Sequence, residues 1–231
     1  MTTPHPRTVV SYVRRSPRMT PSQRGWLDKY AGCWVLDVGP TTEVEPQPPL
    51  DLAEIFGRQA PLIVEIGSGH GDTLVTAAAK HPDTDFIGFE VFDASVAITL
   101  GKIASHQVDN VRLVAADAVS GLAHLFAPQS VAEIWVFFPD PWPKKRHHKR
   151  RLVSPSFADL VARTLVPGGV IRLATDWDSY AAVMAEVFGT DDRFESAGTD
   201  RFATRPVTKF EARGLEAGRV VHDFAYRVRP S

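Results

Sequence analysis

From Leu62 onward, short apolar runs alternate with amphipathic stretches, and five of those runs end in or beside an acid. The runs are Leu62–Ile66, Asp85–Phe89, Val111–Ala115, Ile134–Phe138 and Val170–Ala174, and the acids are Glu65, Glu90, Asp117, Asp140 and Asp176. Brief runs of β-branched and aromatic residues read as buried strands. The stretches between them predict helices over 72–80, 94–106, 119–126, 156–165 and 177–188, with Pro167-Gly168-Gly169 as a turn. Strict alternation implies a mostly parallel sheet with helices on both faces, a doubly wound α/β fold. The tail breaks the pattern: 193–197 and 220–228 predict two more strands, as an antiparallel pair. Residues 51–231 therefore read as one domain. Residues 1–50 read as a basic, partly flexible extension, with a short helix from Thr20-Pro21-Ser22 to about Tyr30 and a proline-rich linker from Pro40 to Pro49.

Composition removes several classes. The 231 residues carry a formal net charge of only −1, so any strong field must be local. The single cysteine, Cys33, allows neither a disulfide framework nor a thiolate zinc site. No apolar stretch approaches the roughly 20 residues that span a bilayer. The first residues lack the apolar region of a secretory signal, so a cytoplasmic location is expected, with no membrane partner.

Ligands of open α/β sheets bind outside the carboxyl ends of the strands, where the five acids gather. Gly67, Gly69 and Gly71 form G-x-G-x-G, which lacks the G-x-G-x-x-G dinucleotide spacing. Glu90, about 20 residues on, is placed to accept ribose hydroxyls. Asp117 could take the exocyclic amine of an adenine ring. Glu65 would repel a pyrophosphate but suits a cationic sulfonium with an ammonium group. The set favours S-adenosylmethionine over a nicotinamide cofactor.

The fourth run ends in P-D-P-W-P, whose prolines stop strand pairing and stiffen the loop around Asp140 and Trp142. Trp142 could stack on a base or anchor the loop. Eight consecutive cationic or imidazole side chains follow, Lys144, Lys145, Arg146, His147, His148, Lys149, Arg150 and Arg151. They read as cations that neutralise the phosphates of a nucleic acid, the alternative being a solvated basic loop. His147-His148 has no companion ligands, so no metal is expected. Asp176 suits guanine, whose N1–H and N2–H₂ donors lie side by side. Near the C-terminus, Thr208, Lys209, Phe210 and Glu211 could meet a substrate, or Thr208 and Glu211 could simply start a helix.

These segments resemble the bacterial tRNA (guanine-N7-)-methyltransferase family. The resemblance rests on V-E-I-G-S-G-H-G (64–71), F-I-G-F-E-V (86–91), F-F-P-D-P-W-P-K-K-R-H-H-K-R-R (137–151), A-T-D-W (174–177) and R-P-V-T-K-F-E-x-R-G (205–214). It implies a Rossmann-like class I methyltransferase sheet and methyl transfer from S-adenosylmethionine to a variable-loop guanine of tRNA. It also implies that Glu65, Glu90, Asp117 and Asp140 bind the cofactor and that Asp140 is catalytic. Lys144, Asp176 and Thr208 to Glu211 would then contact the target nucleotide, and the phosphates met by the basic run would be those of an RNA backbone. Three other readings stay open on the residues alone: an exocyclic-amine methyltransferase, a tRNA-binding protein without catalysis, and a nicotinamide-dependent dehydrogenase.

Overall fold

The computed structural model describes residues 10–12 and 18–230, except the side chains of Lys209 and Phe210. The chain runs α1 (Pro21–Trp34), α2 (Leu52–Phe56), β1 (Leu62–Ile66), α3 (Asp72–Lys80), β2 (Asp85–Phe89), α4 (Asp93–His106), β3 (Val111–Val114) and α5 (Ala118–His124). It continues through β4 (Val131–Phe137), a 3-10 helix (Lys145–Arg150), α6 (Pro155–Thr164), β5 (Leu165–Thr175), α7 (Asp178–Gly189), β6 (Phe194–Gly198), α8 (Lys209–Glu216) and β7 (His222–Val228).

The strands form one sheet in the order β3-β2-β1-β4-β5-β7-β6. The first five run parallel, while β7 is antiparallel to both β5 and β6. Strand order reverses between β1 and β4, so a crevice opens at their carboxyl ends. Alternation along each strand supplies two cores. Val64, Ile66, Ile87, Phe89, Ile134 and Val136 pack on one face with α5, α6 and α7. Phe86 and Trp135 pack on the other with α3 and α4.

Two sequence expectations shift. Pro167-Gly168-Gly169 lies inside β5 and is not a turn between elements. Val131 pairs with Leu165 and Glu133 with Val170, so the extra residues of β5 form a bulge, with Gly168 at φ +79°. Helix α1 runs on to Trp34 because Leu27, Tyr30, Ala31 and Trp34 pack against the second core. Beyond it, Val35 bridges Leu113, and Leu36 donates its N–H to the Leu113 carbonyl at 2.8 Å, covering the outer edge of β3. Among the described residues, no helix is long and apolar enough to cross a membrane.

Candidate active site

β1 carries Glu65 into the crevice, where it is 4% exposed and its Oε2 has no hydrogen-bond partner. Burial, reinforced by the charges of Asp72 and Glu90, pushes its carboxyl up to about 8, although the Leu74 amide pulls the other way. An orphaned buried oxygen is costly unless a donor meets it in the working state. The loop above it leaves room for such a donor. Gly67 and Gly69 hold left-handed backbone, and a Cβ on Gly67 would meet nothing within 4 Å. Gly71 has a different role: a Cβ there would lie 2.4 Å from Thr99 Cγ2, so this glycine lets α3 approach α4.

At the end of β2, Glu90 Oε1 accepts the N–H groups of Val91 at 2.7 Å and Phe92 at 3.0 Å. Burial raises its pKa, and those two amides and that of Gly69 oppose the shift. The carboxylate is thus oriented by its own backbone. Asp117 has a helix-cap role, with Oδ1 accepting the Ser120 N–H at 3.0 Å to start α5. Its N–H donates to the Thr42 carbonyl at 2.7 Å, which brings the proline-rich segment to the wall of the site. These groups fit a cationic, ribose-bearing cofactor: an uncompensated acid, an oriented acid and an open glycine cradle on one sheet edge.

The loop after β4 is held in an uncommon conformation. Phe138 and Trp142 have φ of +52° and +43°, values rarely adopted by bulky side chains. Arg151 accounts for part of the restraint. It is buried, donating from Nε to the Pro141 carbonyl at 2.9 Å, and from its terminal nitrogens to the Ser179 carbonyl at 2.9 Å and Oγ at 2.8 Å. It also lies over the Tyr180 ring. Arg151, read from the sequence with the other cations as a phosphate contact, is a loop strut whose donors are directed inward. Trp142 takes the anchoring role, its indole N–H donating to the Ser11 carbonyl at 3.0 Å with the Arg150 guanidinium over its ring.

Asp140 stands between these anchors. Its side chain reaches solvent, yet the loop around it removes enough water to raise its pKa above the ordinary carboxylate value. Lys144, Lys145, Arg146 and Lys149 are exposed beside it, and Arg150 is half-buried. Desolvation and then the neighbouring cations Arg146, Arg150 and Lys144 lower the His147 pKa. Among the described residues, no group of three or more His, Cys, Asp or Glu could hold a metal ion.

The C-terminal segment sits against the same edge, with most of its polar groups satisfied internally. Thr208 Oγ1 accepts the Glu211 N–H at 3.2 Å and caps α8. Glu211 is 2% exposed and pairs with Arg201 at 3.0 and 3.1 Å and with Arg205 at 3.2 Å. Arg205, fully buried, also pairs with Asp223 at 2.6 Å and lies beside the rings of Phe137 and Phe138. The Glu211 carboxylate, read from the sequence as a substrate contact, is the hub of a buried ion-pair network. The side chains of Lys209 and Phe210 lie outside the described residues, as do Arg7, Arg14 and Arg15. Asp176 ends β5 half-buried, with Oδ2 2.8 Å from Arg219 Nε. Reasoning from sequence missed Arg219, Arg201 and Asp223, since nothing in their spacing signals which acid each will meet.

Comparison with known proteins identifies the family and the fold. A family model described as "Putative methyltransferase" matches residues 59–224. A curated tRNA (guanine-N(7)-)-methyltransferase of Cutibacterium acnes is 51% identical, covering 96% of this chain and 83% of the relative. Its counterpart in Halorhodospira halophila is 43% identical over 97% of both chains. Among solved structures, the 16S rRNA methyltransferase KamB superposes with a TM-score of 0.55 at 17% identity. That match covers 80% of this chain and 96% of the other, a likeness of fold alone.

Proposed function

The chain belongs to the tRNA (guanine-N7-)-methyltransferase family, and from that premise we infer that it methylates N7 of a guanine in tRNA with S-adenosylmethionine as donor. The observation that carries the reading is the orphaned, buried Glu65 oxygen beside the open glycine loop, on the same sheet edge as Asp140. We further propose that the target is the variable-loop guanine and that the reaction takes place in the cytoplasm.

When bound, S-adenosylmethionine supplies an electrophilic methyl group on a sulfonium centre. Glu65 would face the cationic part of the cofactor, Glu90 would accept its ribose hydroxyls, and the second oxygen of Asp117 remains for the adenine amine. Guanine N7 carries a lone pair and no proton, so Asp140 need not act as a base. Its part is to hold the acceptor close and in line, and to offset the positive charge that the purine gains. Lys144, Lys145, Arg146 and Lys149 present cations to the RNA backbone, and Asp176 receives the Watson–Crick edge of the guanine. The test is incubation with labelled S-adenosylmethionine and unmodified tRNA, followed by mass spectrometry of the digested RNA. Label is expected on N7 of guanine, whereas label on an exocyclic amine would overturn the reading.

A further inference from the structure

We propose that Arg219 is a positioning residue that fixes the Asp176 carboxylate for recognition of the guanine edge; this rests on the reading above that Asp176 receives that edge. Arg219 lies outside every motif that carries the family resemblance, and its place follows from the end of α8. Helix α8 closes at Gly218, with φ +72°, whose N–H donates to the Leu215 carbonyl at 2.9 Å. The Arg219 N–H then donates to the Gly214 carbonyl at 3.0 Å. This double closure fixes the Arg219 backbone against the last turn of the helix. From there the side chain reaches Asp176, Nε to Oδ2, at 2.8 Å.

The same turn presses on the carboxylate from a second direction. A Cβ on Gly214 would lie 2.6 Å from Asp176 Oδ2 and 3.3 Å from its Cγ, so only a glycine lets the helix backbone come this close. The carboxylate is thus gripped on its Oδ2 side by one guanidinium and one bare stretch of helix. Each carboxylate oxygen has two lone pairs, so Oδ1 and the remaining position on Oδ2 can still accept two parallel N–H donors. Guanine presents such a pair at N1 and N2. A pair of donors is read well only if the acceptor cannot rotate, and support of this kind around a contacting residue is what fixes a site's geometry. The Arg219 side chain is 41% exposed, so removing it opens no cavity in the core.

The experiment compares tRNA bearing guanine at the target position with the same tRNA bearing inosine, which keeps N7 and N1–H but lacks the N2 amine. Wild-type enzyme should prefer guanine in kcat/KM by about tenfold or more, because inosine leaves an acceptor of Asp176 unpaired. Arg219→Ala should reduce that preference at least about threefold, mainly through KM, with Arg219→Lys recovering part of it. Melting temperature and S-adenosylmethionine affinity should not change. A lower affinity for both tRNAs with the preference intact would make Arg219 a phosphate contact and overturn the proposal. Tighter binding of both would make it a competitor for Asp176 and overturn it equally. Asp176→Asn separates the two levels of inference. If that variant keeps the full guanine preference, the reading of Asp176 itself fails. If it loses the preference while Arg219→Ala does not, only the role of Arg219 fails.

Discussion

Glu65 and Asp140 are both carboxyls whose pKa is raised by removal from water, and they differ in how far. For Glu65 the shift couples stability, cofactor binding and pH. Its folded-state value of about 8 exceeds the ordinary 4.5, so the folded protein keeps a proton that the unfolded chain releases. That contribution to stability is fully present below the unfolded value and is lost as pH rises through the folded one. Glu65→Gln should therefore raise the melting temperature of the cofactor-free enzyme near pH 8 and flatten its decline from pH 5 to 8. Binding of S-adenosylmethionine should weaken in the same variant, as calorimetry would register. Equal pH profiles for the two proteins would show that Glu65 ionises freely. At Asp140, the Asn variant removes charge while keeping shape. Its kcat should fall on the order of 100-fold, the scale of losing one group that stabilises transition-state charge. Affinity for tRNA in a gel-shift titration should survive, and near-normal turnover would remove Asp140 from the chemistry.

Among elements, the segment 144–151 is one charge run in sequence and two devices in space. Its exposed cations point to solvent, whereas Arg151 turns back to bind the Pro141 carbonyl and Ser179. Alanine at Lys144, Lys145, Arg146 and Lys149 together should weaken tRNA binding and reduce the slope of log affinity against log salt by about 3 to 4 units. The melting temperature should stay near that of the parent. Arg151→Ala should behave oppositely, costing about 1–3 kcal/mol of stability because three part-buried hydrogen bonds to Pro141 and Ser179 and the contact over the Tyr180 ring are lost. A change in salt slope for Arg151→Ala comparable with one exposed lysine would contradict the strut assignment. The T-K-F-E segment divides in a similar way. Thr208 and Glu211 stand at capping spacing, and the structure shows the cap. The ion pairs of Glu211 with Arg201 and Arg205 come from chain segments whose meeting no local pattern encodes.

For the molecule as a whole, the segment before β1 is part of the packing of the sheet domain. Trp26 of α1 lies over Gly101 of α4, where a Cβ would come within 2.9 Å of the indole ring. Gly101→Leu should push α1 away and cost about 1–3 kcal/mol, measurable as a lower denaturant midpoint. An unchanged midpoint would mean that α1 contributes little to stability. The alternation of strands and helices, the acids at the strand ends and the motifs that carry the family resemblance were legible in the chain, because side-chain periodicity and turn chemistry are local properties. Strand order was not, nor was the bulge that absorbs Pro167-Gly168-Gly169, since both depend on which edges meet. The division of labour among charged residues was equally hidden: an arginine in a basic run reads the same whether it faces RNA or Pro141. Sequence set the inventory of charges at the crevice. Burial and partner geometry decided that Glu65 keeps an unpaired oxygen, that Arg151 braces the loop and that Asp176 is gripped by Arg219. The energy of a charge depends on what surrounds it in space, and in a folded chain those surroundings come from residues far away in sequence.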